Sequence, residues 1–419
     1  MQKSDTFCIH PFTRLVTRED GAIKPCCRSQ PIGWIQNETL EDAWNNTAIK
    51  EMREKLLNNS KPLECYSCFQ LEDQGVESLR LRHLNKTLPS SVYPLYKDNI
   101  NDLNDDYSMP YTFPVLEIKL NNLCNLKCRM CSPLDSTSWN DWNQVKEYYV
   151  KEGNHLPSTI DDLGLTQAKY VNFFNDNWWD SFYKILPHLS IIEFGGGEPL
   201  IDPQHYEILD ILIPYAHNIE LRYATNGTSI GISNNRTIDN YWPKFKNVVV
   251  NVSIDGIHEV YNYIRTNSNF ETVKKNIIHM RSISSVSRVV GKFTAQGLNI
   301  LQMAECIEYF IEELRIPFFS HRVSYPNILS AQVLPKELKQ LAIFRLESVL
   351  NKIPLFKNKT LFNINIEQIT CDNIRDTIQY LNGIDQSARF NEFIKFNQAL
   401  DITRKSRLEQ VIPEFLTYV

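Results

Sequence analysis

Three cysteines that directly follow a predicted strand constrain this chain more than any other feature of its sequence. The strand Val115–Leu120 leads into Cys124-Asn-Leu-Lys-Cys128-Arg-Met-Cys131, a C-x3-C-x2-C loop. Three thiolates can hold three irons of a [4Fe–4S] cluster and leave the fourth iron open to a non-protein ligand. The alternatives are a zinc site, which usually needs further ligands from a second cysteine pair, and three unconnected thiols.

The other cysteines also point to metal rather than to disulfides. Eight of the ten cysteines lie in the first third of the chain, and several form close pairs. A reducing compartment keeps such pairs as thiols, which can then serve as metal ligands. Cys306 and Cys371 have no cysteine neighbours, and a lone cysteine is usually a small buried apolar residue.

Charge and hydropathy argue against several classes of protein. The formal net charge is −5, so no nucleic-acid-binding surface is indicated. No run of about 18 apolar residues occurs, so no transmembrane helix is predicted. The segment Met1–Asp20 mixes acids, bases and a cysteine without an apolar stretch, unlike a secretory signal. We therefore expect a cytoplasmic protein with no membrane partner and no nucleic-acid partner.

Short apolar runs alternate with helical patterns from Val115 onward. The predicted strands are Val115–Leu120, Ile191–Phe194, Glu220–Thr225, Val248–Ile254, Val289–Gln296 and Phe318–Val323. Helical patterns fill most of the gaps, including Trp178–Leu186 and Phe270–Ile283. Such a series of strand–helix units favours an α/β fold with a parallel sheet or partial barrel. The tail after Leu334 is predicted to be mainly helical, as in Lys336–Leu350 and Arg389–Gln410.

The second predicted strand ends in a glycine-rich turn, Gly195-Gly196-Gly197-Glu198-Pro199. Glycine lets the backbone approach a ligand closely because it has no Cβ, and a carboxylate can accept hydrogen bonds from an ammonium group. An ordinary glycine-rich turn is the alternative. Ligands of parallel α/β proteins bind at the carboxyl ends of strands, so the turn and the cysteine loop are predicted to share one site.

Together, the cysteine loop and the glycine turn resemble the radical S-adenosylmethionine superfamily over residues 114–330. The resemblance implies a partial (β/α)6 barrel, a TIM-like arrangement of six strands. It also implies S-adenosylmethionine as a cofactor bound to the open iron. Gly196, Gly197 and Glu198 match the family's Gly-Gly-Glu-Pro element, which contacts the amino group of that cofactor.

Four further positions are implied by the same resemblance. Ser253 and Asp255, in Val252-Ser-Ile-Asp-Gly256, match a fourth-strand segment that holds the ribose. Arg265 matches an arginine that pairs with the cofactor carboxylate, with a solvated surface charge as the alternative. Met130 stands where the family usually has an aromatic residue near the adenine.

The N-terminal cysteines carry a second resemblance, to the SPASM/twitch auxiliary-cluster domains. Cys8, Gly21 and Cys26 fit the pattern C-x9–15-G-x4-C, and Cys65-Tyr-Ser-Cys68 supplies a close pair. The resemblance implies that Cys8, Cys26, Cys65 and Cys68 hold one auxiliary [4Fe–4S] cluster, which makes two clusters per chain. A zinc knuckle of the same four residues is the alternative. In well-known relatives this module follows the barrel, whereas here it precedes it, and the adjacent Cys27 has no assigned role.

These features divide the chain into four predicted regions. Residues 1–84 form a twitch-like auxiliary-cluster domain, which contains a helix from Thr39 to about Leu57 that starts with a capping box formed by Thr39 and Asp42. Residues 85–113, rich in Asn, Asp, Pro and Ser, are a linker. Residues 114–330 form the barrel, and residues 331–419 form a C-terminal helical segment.

The resemblance implies an enzyme that reductively cleaves S-adenosylmethionine to methionine and a 5′-deoxyadenosyl radical. That radical removes hydrogen from a peptide, protein or small-molecule substrate. A one-electron donor such as a flavodoxin or ferredoxin is the implied partner. One alternative is an activase that installs a glycyl radical on a protein partner, and another is a metal-stabilised binding scaffold without turnover. No residue is assigned as the catalytic acid, base or hydrogen donor.

Overall fold

A computed structural model describes residues 4–73, 75, 77–85, 97–151, 170–323, 325–352 and 359–418. The strands are β1 (Arg14–Thr17), β2 (Ala22–Lys24), β3 (Gly33–Trp34), β4 (Val115–Lys119), β5 (Lys127–Cys128), β6 (Ile191–Gly195), β7 (Glu220–Thr225), β8 (Gly231–Ser233), β9 (Arg236–Thr237), β10 (Asn247–Ser253), β11 (Arg265–Thr266), β12 (Val286–Ala295), β13 (Phe318–Arg322), β14 (Thr360–Leu361) and β15 (Ile364–Asn365). The α-helices are α1 (Leu40–Asn45), α2 (Thr47–Leu57), α3 (Tyr66–Asp73), α4 (Leu79–Leu84), α5 (Trp142–Lys151), α6 (Asp176–Ile185), α7 (Pro203–Leu212), α8 (Ile238–Tyr241), α9 (His258–Ile264), α10 (Phe270–Ser282), α11 (Met303–Tyr309), α12 (Lys336–Lys352), α13 (Ile366–Leu381), α14 (Phe390–Arg404) and α15 (Leu408–Val411).

The longer strands form one mostly parallel sheet. Within the described ranges its order is β13-β12-β10-β7-β6-β4-β1-β2-β3. All neighbours from β13 to β1 are parallel, and β1, β2 and β3 are antiparallel. The six strands predicted from the sequence are β4, β6, β7, β10, β12 and β13. The mixed α/β class with a large parallel sheet is therefore confirmed.

The two faces of this sheet differ in polarity. Along a strand, successive side chains face opposite sides, and the register aligns Glu117 with Glu193 and Glu193 with Arg222. These three charged side chains define what we call the polar face. Leu116 and Ile118, which alternate with Glu117, are fully buried on the opposite face. Parallel sheets usually bury apolar side chains on both faces, so the charged side chains of the polar face are unusual.

The cysteine-rich N-terminal region is part of the sheet, because β1 pairs with β4 in parallel register. The prediction of one helix from Thr39 to Leu57 is wrong, since the segment forms two helices, α1 and α2. The predicted capping box of Thr39 and Asp42 is present. Asn46 interrupts the helix with extended backbone, and its side chain accepts a hydrogen bond from the Ile49 amide at 3.1 Å. Asn46 thereby caps the start of α2.

The described part of the range 85–113, which the sequence predicts as a linker, packs against the N-terminal helices. The Trp44 indole donates a hydrogen bond to the Pro110 carbonyl at 2.8 Å, and Phe113 is buried. Residues 86–96 of that range lie outside the described residues. The boundaries at residues 84, 113 and 330 stay predictions.

The C-terminal segment is helical, with one break that the sequence does not predict. The predicted helix Arg389–Gln410 ends at Arg404, because Lys405 takes left-handed backbone with φ of 53°. A short helix, α15, then starts at Leu408. Among the described helices, none is both long enough and apolar enough to span a bilayer.

Candidate metal centres

The C-x3-C-x2-C loop follows β4 and folds against a distant short strand. Strand β5 pairs antiparallel with β11, which sets Arg265 opposite Cys128. The Arg265 Nη1 atom lies 3.7 Å from Cys128 Sγ, and Asn226 Nδ2 lies 3.8 Å from Cys124 Sγ. Two donors from other parts of the fold therefore face the thiols, as suits sulfur ligands that carry negative charge.

The three thiols of this loop occupy one small region. A hydrogen bond from the Cys131 thiol lowers the pKa of Cys128, burial opposes that shift, and the Arg265 charge supports it. The same hydrogen bond and burial raise the pKa of Cys131. Burial and the nearby Cys128 raise the pKa of Cys124 to about 12. This proximity is what three ligands of one iron–sulfur cluster require.

Gly196 and Gly197 lie against the backbone of the cysteine loop. Gly196 has φ of +102°, and a Cβ there would lie 2.7 Å from the Asn121 carbonyl oxygen. A Cβ on Gly197 would lie 2.2 Å from the Leu123 carbonyl oxygen. The Gly197 amide donates to the Asn121 carbonyl at 2.8 Å, and the Glu198 amide donates to the Leu123 carbonyl at 2.7 Å. The close approach that these glycines permit is to the loop, and their contact with a cofactor stays a prediction.

Glu198 is buried between the ends of β6 and β7. Its carboxylate accepts hydrogen bonds from the Thr225 hydroxyl at 2.6 Å, the Asn226 amide at 2.6 Å and the Leu200 amide at 3.1 Å. Burial raises the pKa of Glu198, and these three hydrogen bonds oppose that shift. The carboxylate is therefore fixed by the protein itself, and its predicted contact with the cofactor amino group stays a prediction.

Asp255 and Arg265 form a buried ion pair near the cysteine loop. One Asp255 oxygen accepts a hydrogen bond from the Thr294 amide at 2.6 Å, and the other lies 2.6 Å from Arg265 Nη2. Arg265 is 8% exposed, so the alternative of a solvated surface charge is wrong. Ser253 is half-buried at the end of β10, and Met130 is half-buried within the cysteine loop. The cofactor contacts of these four residues stay predictions.

Arg129, inside the cysteine motif, is a structural residue that sequence reasoning missed. It is fully buried and forms an ion pair with Asp401 of α14. Arg404, also on α14, donates a hydrogen bond to the Lys127 carbonyl at 2.8 Å. The C-terminal helix thus braces the cysteine loop. An arginine between the cysteines of the motif is visible in the sequence, but its partner Asp401 is 272 positions away along the chain.

The four N-terminal cysteines line one cavity together. Cys8, Cys26, Cys65 and Cys68 surround it, along with His10. Burial raises the pKa of Cys8, and the neighbouring thiols of Cys26, Cys65 and Cys68 are near enough to affect it. Among the described residues, no group of three or more His, Cys, Asp or Glu side chains is arranged to hold a metal ion. The four cysteines nevertheless line one cavity together, and ligands of one shared cluster would have to lie around a common space.

Arg80 holds this cavity together, which the sequence did not indicate. It lines the cavity, donates hydrogen bonds to the Phe7 carbonyl at 2.8 Å and the Asp5 carbonyl at 3.0 Å, and pairs with Glu72 of α3. It therefore ties the segment before Cys8 to the helix that carries Cys68. Cys27 is exposed and is not part of the cavity lining, and its role stays open.

Comparison with known families identifies this four-cysteine region. Residues 8–69 match the family model of SPASM, an iron–sulfur cluster-binding domain. Residues 8–69 are therefore similar to a SPASM domain. The match begins at Cys8 and extends just past Cys68, so it contains all four cysteines of the cavity. The match confirms that the N-terminal region resembles the SPASM iron–sulfur cluster-binding domains. No curated protein sequence matches the chain significantly.

Solved structures that are similar to the chain resemble it only distantly. Native anSMEcpe with bound AdoMet is 17% identical, with a TM-score of 0.38 over 59% of this chain and 63% of its own. Streptococcus suis SuiB bound to precursor peptide SuiA is 14% identical, with a TM-score of 0.32 over 75% of this chain and 62% of its own. TYW1 with a lysine-pyruvate adduct is 16% identical, with a TM-score of 0.29 over 57% of this chain and 71% of its own. The match spans less than two-thirds of the anSMEcpe and SuiB chains.

Proposed function

We propose that this SPASM-domain chain is a radical S-adenosylmethionine enzyme with two [4Fe–4S] clusters. The observation that carries the proposal is that one chain has both a three-thiol loop at the end of β4 and a separate four-thiol cavity in the segment similar to SPASM. Three thiols leave one iron open to a small molecule, whereas four thiols close a cluster. The proposed fold is a partial (β/α)6 barrel with an N-terminal auxiliary-cluster domain and a C-terminal helical segment.

The residues of the loop fit the first cluster chemically. Cys124, Cys128 and Cys131 would hold it, and Arg265 and Asn226 face two of their sulfurs and would stabilise their negative charge. The bound cluster and S-adenosylmethionine together supply reductive cleavage to methionine and a 5′-deoxyadenosyl radical, which removes hydrogen from the substrate. The protein's part is to orient the cofactor and exclude competing reactions.

The strand ends around the loop are the proposed cofactor pocket. Gly196, Gly197 and Glu198 would receive the amino group, and Ser253 and Asp255 would receive the ribose. The fixed carboxylate of Glu198 supports this, because a ligand that binds there meets an acceptor already held in place. Arg265 would bind the cofactor carboxylate while it keeps its ion pair with Asp255, and Met130 would pack near the adenine.

The second cluster would belong to Cys8, Cys26, Cys65 and Cys68. With all four irons bound by thiolates, it would have no open iron for S-adenosylmethionine, and it would supply a one-electron acceptor for an oxidation of the substrate. The substrate would be a peptide, a protein or a small molecule. A flavodoxin or ferredoxin would supply the electrons in the cytoplasm.

Anaerobic cleavage of the cofactor tests this proposal directly. After iron–sulfur reconstitution, dithionite and S-adenosylmethionine should give slow release of 5′-deoxyadenosine and methionine without substrate. The triple change of Cys124, Cys128 and Cys131 to Ala should abolish the release. Cys371→Ala, at a half-buried cysteine outside both sets, is the matched control and should keep it. Stoichiometric zinc with negligible iron would overturn the proposal in favour of a binding scaffold.

A further inference from the structure

His10 is a buried imidazole at the wall of the four-cysteine cavity. It lies two residues after Cys8, lines the same cavity and is 2% exposed. Neither of its ring nitrogens has a hydrogen-bond partner among the described residues. Buried polar groups in folded proteins are almost always hydrogen-bonded, so an orphaned imidazole needs an explanation.

The protein around the ring does not supply the missing partner. His83 of α4 packs edge-on against His10, with ring centroids 4.5 Å apart, and this ring contact does not give either His10 nitrogen a hydrogen bond. The His10 backbone amide is already directed at the Cys8 sulfur, since it lowers the pKa of that thiol. Because His10 lines the four-cysteine cavity, an acceptor bound in that cavity would lie next to this residue.

A cluster held by the four cysteines offers such acceptors, because its inorganic sulfides and thiolate sulfurs carry negative charge. We propose that His10 donates an N–H···S hydrogen bond to the auxiliary cluster. This inference deepens the proposed function and rests on it, because it needs a cluster at Cys8, Cys26, Cys65 and Cys68. Hydrogen bonds to cluster sulfurs help to set the reduction potential, and stabilising the more negative reduced state raises it. His10 is thus a positioning residue that tunes the electron affinity of the auxiliary cluster.

The full chain with Cys124, Cys128 and Cys131 changed to Ala isolates the auxiliary cluster for measurement. In that background, His10→Phe removes the donor and keeps a planar ring of similar size. We expect the iron content to stay the same and the midpoint potential, followed by electron paramagnetic resonance, to become more negative. The magnetic coupling between the cluster and the exchangeable proton of the N–H···S hydrogen bond should also be lost. His10→Gln keeps an N–H donor and should restore part of the shift in potential. His10→Leu also removes the donor but has a smaller side chain, so it replaces His10→Phe if the phenyl ring does not fit and should give the same shift.

His83→Phe is the matched control, because His83 touches the His10 ring but is not part of the cavity lining. It should leave the potential unchanged. An unchanged potential in His10→Phe with a full iron load would overturn this inference and leave the proposed function standing. Strong nitrogen coupling from an imidazole bound to iron would also overturn it, because His10 would then be a ligand. Absence of iron from the isolating variant would overturn the proposed auxiliary cluster and this inference together.

Discussion

At the scale of single residues, Gly197 sets how closely the turn after β6 approaches the cysteine loop. An alanine Cβ there would lie 2.2 Å from the Leu123 carbonyl oxygen, which is backbone and cannot rotate away. We expect Gly197→Ala to displace the loop that carries Cys124. The free energy of unfolding should fall by about 1–3 kcal/mol, as for overpacked interiors. Urea unfolding and the iron content after reconstitution measure these two effects.

Gly195→Ala is the control that this turn provides. A Cβ at Gly195 would meet Lys119 Cγ at 3.8 Å and Ala224 Cβ at 4.0 Å, both ordinary contacts. This variant should keep the stability and the iron content of the unchanged chain. If Gly197→Ala behaved in the same way, the close approach of the two loops would not matter for holding the cluster.

Single residues also show where sequence reasoning ended. The family resemblance implied roles for Glu198, Asp255 and Arg265, and the structure brings Asp255 and Arg265 together. The hydrogen-bond partners of these residues could not be predicted, because a carboxylate in a motif can accept hydrogen bonds either from a ligand or from the protein. His10 and Arg80 carry no motif of their own. Only the folded cavity reveals that they lie beside the four cysteines.

At the scale of elements, an ion-pair network joins four strands across the polar face. Arg14 of β1 lies 2.6 Å from Glu117 of β4 and 2.7 Å from Glu193 of β6. Arg222 of β7 lies 3.1 Å from Glu193 and 2.5 Å from Glu220. Glu193 is therefore the carboxylate that two arginines share, and removing its charge would leave two largely buried cations underpaired.

We expect Glu193→Gln to lower the free energy of unfolding by about 1.5–3 kcal/mol, because the hydrogen bonds of a charged carboxylate to Arg14 and Arg222 are weakened, while Glu117 and Glu220 still pair with those arginines. Glu41→Gln, which breaks the exposed pair of Glu41 and Lys184, is the control and should change stability little. Urea unfolding at neutral pH compares the two. A similar small loss in both variants would mean that the network does not join the strands energetically.

Acid should weaken the same network in the unchanged chain. Burial alone would raise the pKa of Glu193, but Arg14 and Arg222 lower it to about 2. A glutamate in an unfolded chain has a pKa of about 4.3, so the folded state holds this proton less tightly. The stability from this carboxylate is therefore fully present above about pH 4.3 and is lost as the pH falls toward 2. Unfolding midpoints between pH 5 and pH 3 should fall less steeply in Glu193→Gln, and parallel curves would contradict this.

Regular sequence patterns predicted the main strands of the sheet. The pairing of strands that lie far apart along the chain could not be predicted. The six predicted strands have apolar runs with clear ends, and the ends of each observed strand lie within three residues of the predicted ends. The four residues of β1 gave no such signal, and their pairing with β4 depends on contacts about 100 residues apart along the chain. The interruption at Asn46 was also missed, because an asparagine inside a helical pattern can either cap a new helix or face solvent.

At the scale of the whole molecule, the two cysteine sets belong to different parts of the chain. One set lies in the loop after β4, which Arg129 and α14 brace from the C-terminal side. The other set lies within residues 8–69, the segment that is similar to the SPASM domain. We expect about eight irons per reconstituted chain, and about four after Cys124, Cys128 and Cys131 are changed to Ala. An iron assay with Cys371→Ala as control checks this, and loss of all iron in the triple variant would mean that the two sites are not independent.

The separation of the two cysteine sets also predicts different roles for the two clusters, one in cofactor cleavage and one in product formation. Changing Cys65 and Cys68 to Ala should remove the auxiliary cluster and stop product formation. Substrate-free release of 5′-deoxyadenosine should continue, because only the three-thiol loop leaves an iron open. Folding is the main confounder, since metal binding contributes to the stability of small domains and β1 joins the SPASM domain to the sheet. Circular dichroism and a remaining content of about four irons would show that the rest of the chain is intact. If cofactor cleavage vanished in a folded variant that kept those irons, the auxiliary site would take part in cleavage itself, and the proposed division of roles would be wrong.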